Sequence, residues 1–211
     1  MSLGGVTIMA EAFDGLELYF ERMPEVATQA ARMAINDIAA GRGMELARRE
    51  IEDQVAFPSG YLNNDRISVT KRATNFDLEA AITARHRPTS LARFAQGPQI
   101  PGRPSITGIQ VTVHSGNTKT MKKAFFVKLR SGAALTEDNY NIGLAIRLKP
   151  GEKVIYNKKE MSMVQLSHNV YLLYGPSIEQ VFRSVADDIA PDLLNMLSDE
   201  FLRQFTRLTD G

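Results

Sequence analysis

The 211-residue chain contains no cysteine. Disulfides and thiolate metal sites are thereby excluded, and the fold must rest on packing alone. Such a composition fits a reducing compartment. Long apolar runs are also missing. No window approaches the roughly 20 apolar residues that a membrane-spanning helix needs. The opening MSLGGVTIMAEAF has neither a basic leader region nor an extended apolar core. The expectation is a soluble protein that stays on the side of synthesis and has no membrane partner.

Recognisable catalytic spacings are absent too. His86, His114 and His168 are far apart, with no i, i+4 pair and no HExxH, so they form no zinc-type ligand pattern. Ser59-Gly60 and Ser131-Gly132 lack the G-x-S-x-G setting of a nucleophile elbow. Gly4-Gly5 and Gly41-x-Gly43 lack the lysine and the strand context of a phosphate-cradling loop. Asp187-Asp188 and Asp199-Glu200 look like acid pairs, but each lies on a helical pattern whose opposite face is apolar. A solvated helix face is the simpler reading than a general acid/base pair. Nothing here points to an enzyme, a cofactor or a metal.

What the chain does have is segregated charge. The net charge of +1 conceals three blocks. Residues 1–60 carry 10 acids and 5 bases, residues 61–175 carry 7 acids and 17 bases, and residues 176–211 carry 7 acids and 3 bases. A basic middle between acidic ends suits subunit attraction or a surface that faces nucleic acid. With 44% apolar and 23% charged residues the chain reads as one ordinary globular domain over 1–211.

The periodicities follow the same three blocks. In the first, 1–60, Val26, Ala30, Met33, Ala34 and Ile38 repeat at helical spacing after Pro24, and Leu46, Ile51 and Val55 resume the pattern. The Gly41-Arg42-Gly43 break admits a tight bend or a weak point; the expectation is one long helix with a flexible middle, ended by Phe57-Pro58-Ser59-Gly60. In the second, 61–175, the strand candidates are 66–70, 76–84, 107–114, 124–129, 143–148 and 170–173, with Ala73-Thr74-Asn75 as a hairpin turn. Residues 97–104 and 131–140 read as loops, the former by its Gly and Pro content. In the third, 176–211, Ile178, Val181, Phe182, Val185 and Ile189 start an apolar helical face, which Pro191 kinks or restarts. The expected fold class is α+β: a long N-terminal helix, an antiparallel sheet of about five or six strands, and a kinked C-terminal helix.

Two local features carry most information. The run LYGPSIEQVF, 173–182, passes from an apolar strand end through Gly-Pro into a helix, with Ser177 at the N-cap position and Gln180 at capping-box spacing. The second is a cluster of bases, Lys119, Lys122, Lys123, Lys128 and Arg130, around the strand AFFVKL, followed by Lys149, Lys153, Lys158 and Lys159. Strand alternation sends Phe125 and Phe126 to opposite faces, so at least one belongs to the core. The candidate interface or DNA-channel residues are Lys122, Lys123, Lys128 and Arg130. A nucleic-acid-binding module built on this basic segment is the alternative function.

Three segments, AARMAINDIA (30–39), KKAFFVKLRSG (122–132) and LYGPSIEQVF (173–182), resemble the phage minor tail protein Z family and occur in that family's order. The resemblance covers roughly residues 25 to 185. One departure is the stretch MVQLSHNVYLLYGPS, where the family carries a basic, proline-containing strand before the turn; no interface residue is carried over from the family. The resemblance implies a structural virion protein of a tailed bacteriophage or prophage, made in the host cytoplasm, that completes the head-proximal end of the tail or forms part of the neck. Its implied partners are a tail terminator, a head-completion protein and copies of itself in a sixfold ring, with non-specific contact to DNA in the channel.

Overall fold

The computed structural model describes the backbone of residues 5–8 and the whole of residues 15–102, 107–129, 141–152 and 161–210. Arg130, the 131–140 loop, Lys153, Lys158 and Lys159 lie outside the described residues. The fold is mixed α and β, and every strand pairing within its sheets is antiparallel. The chain divides into two compact units: Met1–Glu52 with Leu62–His86 and Ile178–Gly211, and Asp53–Tyr61 with Arg87–Ser177.

The first unit sets helices against a small sheet. Its helices are α1 (Glu17–Arg22), α2 (Pro24–Ala40), α3 (Arg42–Gln54, which runs on past the unit's limit) and α4 (Ile178–Thr209). The strands β1 (Gly5–Ile8), β2 (Ile67–Lys71) and β3 (Ala80–Ala84) lie in the order β1-β3-β2. Pro24 occupies the first turn of α2, where its missing N–H costs nothing. Ala27, Ala30, Ala31 and Ala34 are fully buried, and these small side chains let α2 lie close along α4. From α4, Phe182, Val185, Leu197 and Phe201 fill the same core. Tyr19 meets Phe201 edge-on, with ring centroids 5.8 Å apart, and so fixes α1 to α4.

Here the structure corrects the N-terminal reading. There is no single long helix: α2 stops at Ala40 and α3 starts at Arg42. Gly41 takes φ −107° and ψ −115°, off the helical region. The break is a bend, and Gly43 is buried within it. A Cβ on Gly43 would stand 2.7 Å from the carbonyl oxygen of Ile38 and 3.0 Å from Leu193 Cδ2, so only glycine lets α3 turn this tightly against its neighbours. The N-terminal block is also not wholly helical, because the β-branched run Gly5–Ile8 pairs with β3.

The second unit holds the other two sheets. One contains β4 (Thr89–Ser90), β7 (Ala124–Leu129), β8 (Asn141–Arg147), β9 (Ser162–Ser167) and β10 (Val170–Gly175). Its strand order is β4-β10-β8-β7, with β9 also paired to β10. The other is the hairpin of β5 (Ile109–His114) and β6 (Asn117–Met121). Among the described residues the expected single sheet of five or six strands is three sheets. Alternation marks which residues are extended but not which edges meet, and β4, β6 and β9 are short or polar stretches with weak strand signals. A 3-10 turn at Leu91–Phe94 caps the inner face of the larger sheet, where Leu144 and Leu173 are buried. Phe94 packs on Gly175, whose missing side chain leaves the ring its place: a Cβ there would come within 3.0 Å of Phe94 Cε2.

The run LYGPSIEQVF is the passage from the second unit into the first. Strand β10 ends at Gly175 and α4 begins at Ile178, directly after the buried Ser177. Pro191 lies inside α4, which continues through it without interruption to Thr209.

Candidate functional site

Formal charge follows the two units more closely than it follows the sequence blocks. The first unit holds 19 acids against 12 bases, net −7; the second holds 5 acids against 13 bases, net +8. The strongest feature of the basic unit lies along β7. Its register to β8 pairs Phe125 with Ala145 and Val127 with Gly143, which puts Phe125 and Val127 on one face of the sheet and Phe126 on the other. Phe126 is core, 5% exposed. Phe125 and Val127 are half-buried and pack with Leu129 and Tyr174 over Ala145, Val170 and Leu172.

An open groove of about 610 Å³ runs over this strand, between its side chains and the turn at Pro101-Gly102. Gly102 is held there by donating its N–H to the carbonyl of Phe126 at 2.9 Å, with a φ of +79° that favours glycine. Its lining includes the apolar residues Phe125 and Val127 and the basic residues Lys123, Lys128 and Arg147. Alternation along β7 sets Lys128 on the face of Phe126, opposite Phe125 and Val127. Lys123 is ion-paired to Glu152. That contact, together with the backbone N–H of Lys149, holds the Glu152 carboxyl below its usual range. Arg147 makes no ion pair among the described residues.

Of the sequence candidates, Lys123 and Lys128 line the groove. Lys122 is exposed in the turn before β7 and is not part of the lining, and Arg130 lies outside the described residues. Arg147 is not among those candidates. It joins the groove through β8, whose pairing with β7 brings position 147 beside residues more than twenty positions earlier. A lone arginine at the end of an apolar strand carries no signal of that.

The histidines are placed separately. The His86 ring contacts the buried Glu179 carboxylate at 3.2 Å, which also pairs with Arg183. His114 meets the Gln54 carbonyl at 3.0 Å, and His168 stands in the turn between β9 and β10. No group of three or more His, Asp or Glu side chains among the described residues could hold a metal ion. Among them too, no helix is long and apolar enough to cross a membrane.

The two acid pairs also separate. Asp187 and Asp188 are exposed. Asp199 is exposed, but Glu200 is buried, 7% exposed. Arg203 donates to Glu200 through Nε at 2.9 Å, and Gln204 donates to it at 2.8 Å. This is an ion-pair cluster within the first unit, and its signal (Arg at i+3 and Gln at i+4 from the glutamate) is visible in the sequence.

Apolar and cationic residues in one lining have the chemistry that complements an anionic, partly apolar surface. No family model matches this chain, and no curated protein or solved structure matches it significantly.

Proposed function

We propose that the chain is a structural virion protein of a tailed bacteriophage or prophage, acting at the head-proximal end of the tail as a completion or neck component. The observation that carries this reading is the order of the three segments at 30–39, 122–132 and 173–182. In the fold these segments are a helix of buried alanines, the strand at the groove, and the passage from β10 into α4. The division into units of −7 and +8 supports assembly over turnover, because one copy offers opposite signs on different parts. Partners are then the tail terminator, a head-completion protein and further copies in a ring that closes on itself. The sixfold number comes from the resemblance alone.

The test is inactivation of the gene in the phage or prophage that encodes it, followed by electron microscopy of the lysate. Filled heads and separate tails that fail to join are the expected result, with infectivity restored by the intact gene supplied in trans. Normal, infectious virions that contain none of this protein by mass spectrometry would overturn the proposal.

The +8 unit favours one second reading, a module that tracks nucleic-acid backbone. Such a binder loses affinity steeply with salt, at a slope set by the phosphates it contacts. A dedicated DNA-binding role fails if the purified protein is not retained on DNA at about 50 mM salt.

A further inference from the structure

We infer that the groove over β7 receives the acidic outer face of α4 from a second copy of the chain. This rests on the proposal that copies assemble with one another, and it names the surfaces that meet.

The donor surface is a single line along α4. Asp188, Asp192, Asn195, Asp199 and Leu202 follow at intervals of 4, 3, 4 and 3, the spacing that keeps one stripe on one side of a helix. All five are exposed, and the side chains of the three aspartates make no ion pair among the described residues. One large apolar side chain stands among them, Leu202 at 39% exposed, while Leu194 lies about 100° round the helix from the stripe. An acidic helix face that also shows a leucine to solvent has the chemistry of a surface that another protein covers.

The acceptor surface complements it in both respects. Lys123, Lys128 and Arg147 line the groove, Lys123 is paired to Glu152, and Arg147 makes no ion pair among the described residues. Phe125 and Val127 add half-buried apolar area to the lining. A helix laid in an apolar groove with charge at its margins is a recurrent recognition mode. Exposed ion pairs contribute about 0–1 kcal/mol each, so no single pair holds the contact. The charges act together to steer and register it, and Leu202 against Phe125 and Val127 adds apolar burial. The contact joins unlike surfaces, so repeating it makes a head-to-tail series able to close into a ring. A twofold dimer would instead need one patch to meet itself.

The absence of cysteine makes this directly testable. Lys128→Cys and Asn195→Cys are made as separate full-length variants, distinguished by mass tags, mixed and oxidised mildly. The mixed disulfide should form at least about tenfold faster than either like-with-like dimer, because specific docking raises the local thiol concentration. Adding Arg147→Glu to the Lys128→Cys variant, or raising salt to about 1 M, should remove most of that preference. Equal rates for mixed and like pairs would overturn the assignment. So would a preference that survives both Arg147→Glu and high salt, or one that short duplex DNA abolishes at low salt, which would make the groove a phosphate-tracking surface. If cross-linking shows no preference but the protein is present in virions, the docking assignment fails and the virion reading stands. If cross-linking is preferential but the protein is absent from virions, the docking assignment stands and the virion reading fails.

Discussion

Asn36 on α2 grips the backbone of Ala73 from both sides, donating Nδ2 to its carbonyl at 3.0 Å and accepting its N–H through Oδ1 at 2.9 Å. One amide side chain thereby satisfies both polar groups of a buried residue just beyond β2, and ties helix to sheet within the first unit. The neighbouring Asp37 accepts from Gln204 of α4 at 2.9 Å. The segment AARMAINDIA thus combines an alanine face for close packing with two adjacent polar anchors.

Asn36→Asp tests the grip. Aspartate still accepts the Ala73 N–H but cannot donate to its carbonyl, and two oxygens then face each other. The expected loss is about 1–3 kcal/mol, the cost of an unsatisfied buried group, read as a lower midpoint in urea unfolding. Asn36→Asp should recover part of the loss at low pH, where a protonated carboxyl can donate again. A midpoint equal to wild type at neutral pH would show that water satisfies Ala73 equally well.

The Glu200 cluster makes a second prediction, in pH. Arg203 holds the Glu200 carboxyl below its usual value of 4.5, with help from Gln204 and Arg42 and against an opposing push from burial. A carboxylate depressed in the fold binds fewer protons folded than unfolded. Its contribution is therefore complete above the unfolded pKa and is lost as pH falls through the folded one. Glu200→Gln should lower stability by about 1–3 kcal/mol at neutral pH, and the difference should shrink as pH falls below 4.5. A difference that stays constant throughout the acid range would mean that packing, not charge, accounts for the loss.

How much of this is legible in the sequence depends on the range over which each signal acts. The strand 124–129 is legible with its own limits, because alternation and the flanking lysines mark it locally. The junction from β10 into α4 is legible for the same reason: a Gly-Pro turn between an apolar strand end and a helical apolar face is a local signal. The bend at Gly41 shows only as an ambiguity, since glycine permits both a weak helix and a turn; the close approach of Ile38 and Leu193 to Gly43 decides it. Sheet partition and the recruitment of Arg147 are not legible, because they depend on which edges pair across long separations. The partners of Glu200, Arg203 and Gln204, are legible at i+3 and i+4, but its burial beside the exposed Asp199 is not.

Phe125 and Phe126 offer a third prediction. They are adjacent, yet Phe126 is core at 5% exposed and Phe125 is half-buried at the groove. Phe126→Ala should cost about 3–5 kcal/mol, the range for a buried phenylalanine. Phe125→Ala should cost less than half of that while weakening the cross-linking preference of the groove. If the two variants lose equal stability, Phe125 belongs to the core and not to the groove lining.

The fourth prediction concerns Pro191. Its side chain is exposed, and α4 passes through it from Ile178 to Thr209 without a break. The proline has no N–H to offer the carbonyl of Asp187, one turn earlier, and its ring crowds that same carbonyl. The helix persists because Ile189 and Leu193 on either side are buried, and packing on both flanks outweighs the local cost. Pro191→Ala restores the missing hydrogen bond and fills an exposed position with the strongest helix former. Proline does reduce the freedom of the unfolded chain, which returns roughly 0.4–1 kcal/mol to the wild type. Against an interior helix cost of about 3 kcal/mol, the net expectation is a variant more stable by about 2 kcal/mol, measured as a higher urea midpoint with an unchanged m-value. A less stable variant would show that α4 needs the local geometry proline imposes, and that the acidic stripe from Asp188 to Leu202 is aligned through a bend and not along a straight helix.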